Sequence, residues 1–426
     1  MIQFFTFWLV LGGAAAVFWL LPRAWRIPFL AIVSATYIII LEPLAAGRMR
    51  LAAWSGLVLL AWTAAFYLLA PLAARIVRSR AAVGASRSGP QSGGVAVLEA
   101  LPPERKSRPW VLPVLVLAIL AYLAVFKYIL PNVRTGARSI AIPLGISYFT
   151  FKFIHYAVEI ARGTIKDRSP WQFLCYMFMF PPFSAGPIER FDHFLANQES
   201  RFNPQSTAEG LTRIVHGLIK KFIIAEMIIG PWYLPASAAL FKAKAMPTTW
   251  HVWTIGFAAY LYLYMDFAAL TDIAVGAMRL FGIRIMENFD WPILAPNIGS
   301  FWKRWHMSLA GWCQAYIYMP VMGYTRSTVL ALYSTFIAIG LWHQASAAWL
   351  AWGAYHATGI LIFQYWSRFK RKMKWTALDR LPLKYVGIPM TFLFVTAGEV
   401  MTLPGMRDWH DTVRLMAKLV FIDLKA

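Results

Sequence analysis

Long apolar runs separated by short polar or basic segments recur along most of the 426 residues. An α-helix needs about 20 apolar residues to cross the hydrocarbon core of a membrane. The pattern therefore predicts an all-α polytopic membrane protein with about ten or eleven transmembrane helices. The runs that suit a full or partial crossing are Ile2–Leu21, Ile27–Ala46, Leu51–Ala73, Pro109–Leu130, Leu211–Leu234, Trp250–Leu280, Phe301–Met322, Thr328–His343, Ala347–Tyr365 and Val386–Leu403.

Two central runs, Ile140–Ile160 and Phe173–Ile188, are interrupted by proline and glycine. The first of them also contains the ionisable residues Lys152, His155 and Glu159. Broken helices and ionisable groups are tolerated at membrane depth only where protein or water surrounds them. We therefore expect re-entrant helices that line a chamber in this part of the chain.

The run Phe301–Met322 also differs from a simple span. It carries Lys303, Arg304 and His306 among many aromatic residues. Such a mixture is typical of a helix that lies at the membrane interface or is only partly inserted.

Composition and charge exclude several classes of protein. Hydrophobic residues make up 59% of the chain and charged residues only 14%, whereas soluble domains carry about 25% charged residues. The net charge of +22 comes from short basic runs between apolar stretches, which indicates positive-inside topology with anionic lipid as partner, and not nucleic-acid binding. We predict one membrane domain over residues 1–426, with a flexible basic cytoplasmic loop at 74–108.

Histidines are the most informative candidates for chemistry. Residues 327–367 contain no Asp, Glu, Lys or Arg, and their only imidazoles are His343 and His356. A stretch of this length must cross the membrane about twice, so we expect at least one histidine at membrane depth. An imidazole there serves either as a structural hydrogen-bonding group or as a proton acceptor near neutral pH, and the residues alone favour the structural role. His306 is a second candidate for chemistry.

Neither a metal site nor a carboxylate pair is evident. No cluster of His, Cys and acidic residues has the spacing of a zinc site, so we predict no metal. Asp266 and Asp272 lie within an apolar run, six residues apart and therefore on different helix faces. We expect them to satisfy backbone groups or to pair with Arg or Lys of another helix.

Four segments of the central and C-terminal parts of the chain combine aromatic, proline, glycine and ionisable residues. They are Pro143–Phe151, Phe180–Arg190, Tyr264–Asp272 continued by Glu287–Pro292, and Phe301–Leu309 followed by Gly340–His343. Taken together and in this order, they resemble the membrane-bound O-acyltransferases (MBOAT), specifically the bacterial branch that acylates cell-envelope polymers. The resemblance covers about residues 143–359, which we treat as the catalytic core.

The resemblance implies a ring of tilted helices around a central chamber and an O-acyltransferase activity. It implies that His343 is the catalytic residue and general base, and that His306 is a second functional position. The acyl group, acetyl or D-alanyl, would move from a cytoplasmic thioester, carried by CoA or by a phosphopantetheinyl carrier protein, to a hydroxyl of an envelope polysaccharide or related polymer. The implied location is the bacterial cytoplasmic membrane, with an extracytoplasmic partner acyltransferase of the SGNH type.

Further residues follow from their positions beside these histidines. Trp305 and Asn297 are candidates for orienting the acceptor or stabilising an oxyanion. Lys303 and Arg304 are candidates for the phosphates of the donor's pantetheine or for lipid headgroups, and we favour headgroups. The remaining assignments are substrate binding for Trp342 and Gln344 and an intramembrane polar role for Glu189 and Arg190.

The sequence departs from the family pattern at three positions. Gln344 replaces the usual Gly after the catalytic histidine, and Gln314 and Ala315 replace an Arg–Asp pair. The segments around Phe149–Lys152 and Phe183–Arg190 resemble the D-alanyl branch more closely, but the departures fit neither branch. Two other functions stay open: a transporter or flippase for an envelope-polymer precursor, and a non-catalytic scaffold of an envelope-modification complex.

Overall fold

The computed structural model describes residues 5–45, 49–73, 110–129, 145–166, 168–183, 185–240, 247–375, 383–403 and 409–423. The described residues are predominantly helical and form no β-strand. The predicted loop at residues 74–108 lies outside the described part. The chain divides into two compact units, the first comprising residues 1–184 and 189–200 and the second residues 185–188 and 201–426.

The first unit contains eight helices in its described part. Aromatic rings pack its interior: Phe66 stacks on Phe153 with ring centroids 4.4 Å apart, and Tyr156 lies 4.1 Å from Phe173. The helices are α1 (Phe5–Leu20), α2 (Arg23–Thr36), α3 (Glu42–Ala45), α4 (Met49–Leu69), α5 (Val111–Ala124), α6 (Ile146–Arg162), α7 (Pro170–Phe178) and α8 (Phe191–Ala196).

The second unit contains ten helices in its described part, and it holds all the histidines assigned to chemistry. Stretches of π-helix at Ile219–Ile229 and Gln314–Tyr318 connect some of them without a break. The helices are α9 (Pro204–Leu218), α10 (Gly230–Leu240), α11 (Thr249–Leu280), α12 (Ile298–Trp302), α13 (Met307–Cys313), α14 (Met319–Thr325), α15 (Thr328–His343), α16 (Ala347–Lys372), α17 (Leu383–Val400) and α18 (Trp409–Leu419).

Close helix packing in the second unit depends on small residues. A Cβ atom at Gly210 of α9 would lie 2.7 Å from the backbone oxygen of Gly276 on α11. A Cβ atom at Gly340 of α15 would lie only 2.2 Å from the backbone oxygen of Trp349 on α16. Small residues allow helix backbones to approach this closely, which is how helices gain packing contacts inside membranes.

The all-α polytopic class predicted from the sequence is confirmed. Three described helical segments are long and apolar enough to cross a membrane, and they are Arg23–Leu44, Val111–Ile129 and Thr249–Leu280. Shorter apolar helices accompany them at Phe5–Leu20, Gly56–Leu72, Thr328–His343 and Tyr385–Val400. Large apolar side chains such as Leu117 and Ile362 are more than half exposed on these helices and their neighbours, which suits contact with lipid.

The predicted run Phe301–Met322 is not one helix. It is divided at His306, whose φ of 43° lies in the left-handed region. A non-glycine residue in that conformation cannot continue a right-handed helix. The chain therefore turns between α12 and α13 at the residue that the sequence singles out for chemistry.

Candidate active site

His306 is held in a buried position at the start of α13. The side chain is only 4% exposed, and its ring lies edge-on to the ring of Phe267 on α11, with centroids 4.8 Å apart. The backbone N–H of Met307 donates to the carbonyl of Asn288 at 2.9 Å. This contact and the burial of the ring stabilise the left-handed conformation, which costs about 1–2 kcal/mol for a residue with a Cβ atom.

Asn288 is the centre of the hydrogen-bond network around His306. Its Oδ1 lies 2.6 Å from the hydroxyl of Ser308 and 3.2 Å from Nδ1 of His306. The Ser308 hydroxyl accepts the N–H of Ile188 at 2.9 Å, so its own proton is available for Asn288. Asn288 completes the network by donating from Nδ2 to Thr271 at 3.2 Å. All four polar side chains are buried.

This network determines the tautomer of His306. Because Asn288 Oδ1 is an acceptor, Nδ1 of His306 must carry the proton, and Nε2 therefore has a lone pair. Burial, followed by the electrostatic effect of His343, lowers the pKa of His306 to about 3. The imidazole is thus neutral at physiological pH, and its Nε2 can accept a hydrogen bond but cannot donate one.

His343 lies within electrostatic range of His306 and is surrounded by indole rings. It is the last residue of α15, and its ring stacks on Trp349 with centroids 4.5 Å apart and planes 22° apart. Trp342 lies 4.6 Å away and Trp352 contacts the ring edge-on at 5.9 Å. His343 is partly exposed, unlike His306. The two imidazoles assigned to chemistry therefore differ in accessibility.

Comparison with known proteins identifies the family. A family model for the membrane-bound O-acyltransferases matches residues 24–404. The chain belongs to the MBOAT family. The resemblance drawn from the four sequence segments is therefore confirmed.

Two groups of relatives resemble this MBOAT protein. The "Probable alginate O-acetylase AlgI" of Pseudomonas aeruginosa is 35% identical over 268 residues, which cover 61% of this chain and 48% of that protein. The "Teichoic acid D-alanyltransferase" of Bacillus subtilis is 30% identical over 270 residues, covering 60% of this chain and 67% of the relative. The "Teichoic acid D-alanyltransferase" of Streptococcus thermophilus is 31% identical over 300 residues, which cover 64% of this chain and 71% of that protein. The chain spans about half the length of the alginate O-acetylases that it matches.

The other predicted residues of the MBOAT core take up varied positions. Trp305 is buried and stacks between Phe301 and Tyr260, each with ring centroids 5.5 Å away. Asn297 caps α12, its Oδ1 accepting the N–H of Ser300 at 2.8 Å. The cap occupies Oδ1 of Asn297. An oxyanion would be stabilised by the amide N–H₂ group, which is the donor of this side chain.

The residues flanking the two histidines differ in exposure. Lys303 is exposed and Arg304 partly buried, with the Arg304 carbonyl accepting the N–H of Asp290 at 3.0 Å. Gln344 is exposed and in an extended conformation. Its backbone N–H donates to Gly340 at 3.0 Å and so ends α15. Trp342, by contrast, contributes a ring to the group around His343.

The two aspartates of α11 form ion pairs with neighbouring helical segments. Asp266 lies 2.5 Å from Nζ of Lys221. Asp272 lies 2.6 Å from Nζ of Lys220 and 2.8 Å from Nη2 of Arg213. These contacts have the form that the sequence analysis expects for carboxylates within an apolar helix.

Glu189 and Arg190 belong to the first unit. The Glu189 carboxylate is fully buried and lies 2.6 Å from Nδ1 of His193, and it also accepts the backbone N–H of Arg190 at 3.2 Å. The hydrogen bond with Glu189 raises the pKa of His193 above its usual value. Glu189 thereby ties the segment before α8 to α8 itself.

Asn288, Ser308 and Thr271 are functional candidates that the sequence analysis does not single out. Asn288 and Thr271 lie in the family segments, but nothing in the linear sequence shows that they bond to each other or to His306. Among the described residues, no three His, Cys, Asp or Glu side chains are grouped closely enough to hold a metal ion.

Replacing Asn288 by alanine should lower the free energy of unfolding by about 2–4 kcal/mol, because Thr271, Ser308 and His306 would each lose a buried partner. Thermal unfolding of the detergent-solubilised protein measures this effect. The matched variant is Asn297→Ala, which removes a single helix cap and should cost about 1 kcal/mol. Equal losses for the two variants would show that the Asn288 network does not hold this site together.

Proposed function

We propose that this protein transfers an acyl group from a thioester to a hydroxyl group of a bacterial cell-envelope polymer. The observation that carries the proposal is the buried hydrogen-bond network that leaves Nε2 of His306 as an acceptor, in a chain of the MBOAT family. A neutral buried imidazole and a more accessible one suit a reaction that begins with proton removal from an alcohol.

His343 acts as the general base in this proposal. It takes the proton of the acceptor hydroxyl while the oxygen attacks the thioester carbonyl, the carbon–sulfur bond then breaks, and the thiolate leaves with the carrier. A thioester is already activated, so the protein has mainly to position two substrates and remove one proton. Positioning and general-base catalysis each supply several kcal/mol of barrier lowering.

His306 orients the acceptor. With its proton on Nδ1, the ring offers the Nε2 lone pair to a second hydroxyl of the acceptor, since the single proton of the reacting hydroxyl goes to His343. The low pKa of His306 keeps that lone pair free at neutral pH. The same geometry argues against His306 as an oxyanion donor, because a neutral imidazole has only one N–H and Asn288 already receives it. The two histidines therefore have different parts: His343 moves the proton and His306 holds the substrate.

The acyl group in this proposal is acetyl or D-alanyl, by analogy with the alginate O-acetylase and the teichoic acid D-alanyltransferase that the chain resembles. The donor is an acyl thioester, on CoA or on a phosphopantetheinyl carrier protein, presented from the cytoplasmic side. The chain would lie in the cytoplasmic membrane of a bacterium, together with an extracytoplasmic partner acyltransferase of the SGNH type. No metal takes part in the proposed chemistry.

Mild alkaline hydrolysis of the envelope tests the proposal. Cells with the intact gene and a deletion strain are hydrolysed, and the released acid is identified by mass spectrometry. We expect one acid, acetate or D-alanine, to be lost in the deletion strain and restored by the wild-type chain. Equal ester content in the two strains would refute the acyltransferase and favour a transporter or a scaffold.

A further inference from the structure

Arg213 on α9 connects a spanning helix to the loop that carries Asn288. Its Nη2 lies 2.8 Å from Asp272 on α11 and 2.7 Å from Glu287 in the loop after α11. One guanidinium nitrogen therefore bridges two carboxylates that are 15 residues apart in the chain. A planar guanidinium suits this bridging, because its N–H donors point in fixed directions.

The bridge lies beside the network that holds His306. Asp272 follows Thr271 and Glu287 precedes Asn288, and Thr271 and Asn288 are themselves joined by a hydrogen bond of 3.2 Å. The two connections thus lie side by side, one ionic and one neutral, between the same helix and the same loop. Asn288 in turn contacts Nδ1 of His306.

The two carboxylates depend on Arg213 to different degrees. Asp272 is 9% exposed and retains Lys220, 2.6 Å away, if Arg213 is removed. Glu287 is 38% exposed, and in the described part of the chain its only ion pair is with Arg213. Loss of Arg213 should therefore release the loop end of the bridge and leave the helix end paired.

We infer that Arg213 is a positioning residue, which fixes the orientation of His306 by holding Glu287 and thereby Asn288 against α11. This role rests on the proposed function, in which His306 orients the acceptor hydroxyl. Arg213 touches neither substrate in this scheme, and its effect reaches the site through one loop and one asparagine.

The chain offers a closely matched control in Arg279. Its Nη1 lies 2.7 Å from Glu209, so it too joins α9 to α11 through an ion pair. Arg213, Arg279 and Glu209 all line the same cavity of about 380 Å³. The Arg279 side chain connects helix to helix, and among the described residues no ion pair joins it to the loop that carries Asn288. Any general effect of losing an arginine between these helices should therefore appear in both variants.

Steady-state kinetics of acyl transfer give the first test. For Arg213→Met we expect kcat to fall about 10- to 100-fold, the size expected when a substrate-orienting group is misplaced by about 1 Å. The KM for the thioester should stay within about twofold, since misalignment of His306 affects the reacting geometry and not donor binding. Arg279→Met should leave both constants near the wild-type values. Equal falls in kcat for the two variants would refute the positioning role.

A double-mutant cycle tests the route through Glu287. If Arg213 acts by holding Glu287, Glu287→Gln lowers kcat on its own, and combining it with Arg213→Met adds little further loss. Independent, multiplicative losses would show that Arg213 acts through Asp272 or by another path. If Arg213→Met fails to fold, Glu287→Gln alone still tests the bridge, because it removes the charge at the loop end.

Hydrogen exchange of the solubilised protein gives a readout that needs no activity. The N–H of Asp290 donates to Arg304 and the N–H of Met307 donates to Asn288, so peptides covering residues 281–308 report on the loop. Arg213→Met should speed their exchange, and Arg279→Met should not. Unchanged exchange in Arg213→Met would overturn the inference even if acyl transfer is demonstrated. If the wild-type protein transfers no acyl group but exchange is still faster in Arg213→Met, the proposed function is refuted. The role of Arg213 in holding the loop is then still supported.

Discussion

Replacing His343 by alanine should lower the rate of acyl transfer about 100- to 10,000-fold, which is the usual contribution of a positioned general base. The ring lies at the end of α15 among three indoles, and no other described imidazole in residues 327–367 is comparably accessible, because His356 is 2% exposed. His356 also accepts the indole N–H of Trp302 on Nδ1 at 3.3 Å. Burial lowers the pKa of His306 to about 3, so this second imidazole is also a poor substitute for the base.

The measurement is acyl transfer by membranes that contain equal amounts of each variant. His343→Gln should be as impaired as His343→Ala, because glutamine keeps a polar side chain in the indole cage but cannot accept the proton. His251→Ala is the control, since His251 is exposed at the start of α11 and should leave the rate unchanged. A rate within tenfold of wild type for His343→Gln would remove His343 from the role of base.

Replacing Gly340 by alanine should lower the free energy of unfolding by about 1–3 kcal/mol, as overpacked sites do, and should also reduce acyl transfer on the order of 100-fold. The added Cβ would lie 2.2 Å from the carbonyl oxygen of Trp349. Backbone cannot move aside as a flexible side chain does, so α15 and α16 must separate. His343 is one turn beyond Gly340, and the stacking of its ring on Trp349 depends on that same approach.

Gly323→Ala is the matched variant for this prediction. Gly323 lies within α14, and a Cβ atom there would have nothing within 4 Å. The substitution should raise stability by about 0.5–1 kcal/mol, because alanine restricts the unfolded chain more than glycine does. Thermal unfolding and the transfer assay, applied to both variants, separate the two cases. If Gly340→Ala were as stable and active as Gly323→Ala, the close approach of α15 and α16 would not be needed.

Helices that the apolar pattern defines were predictable from the sequence. Thr328–His343 was expected and observed with the same bounds, since a cap, Ser327, precedes it and an extended residue, Gln344, ends it. Trp250–Leu280 differs from the observed Thr249–Leu280 by one residue. In contrast, α18 was not predicted, because its apolar residues are confined to one face and do not form a run.

The local geometry of the site was not predictable. The left-handed residue at His306 carries no signal of its own, because histidine is not a residue that favours this conformation strongly. Asn288 and Arg213 are separated from their partners by 17 to 74 positions, and a single sequence does not show which polar residues meet across such distances. The family segments indicate the right neighbourhood, and only the structure shows the bonds.

The short connection between α15 and α16 has a consequence for biogenesis. The cage around His343 is built from residues 342–352, so it is complete as soon as this helical hairpin has entered the membrane. The surroundings of His306 draw on Ile188, Thr271 and Asn288, and closing such long loops is slower than forming local contacts. Once its residues have been synthesised, the cage should therefore form faster than the network around His306. The residues of that network all precede residue 342 in the chain, so the proton acceptor is the last part of the site to be synthesised. A nascent chain that ends before residue 342 would then contain the substrate-holding residues but no base to activate water against a thioester.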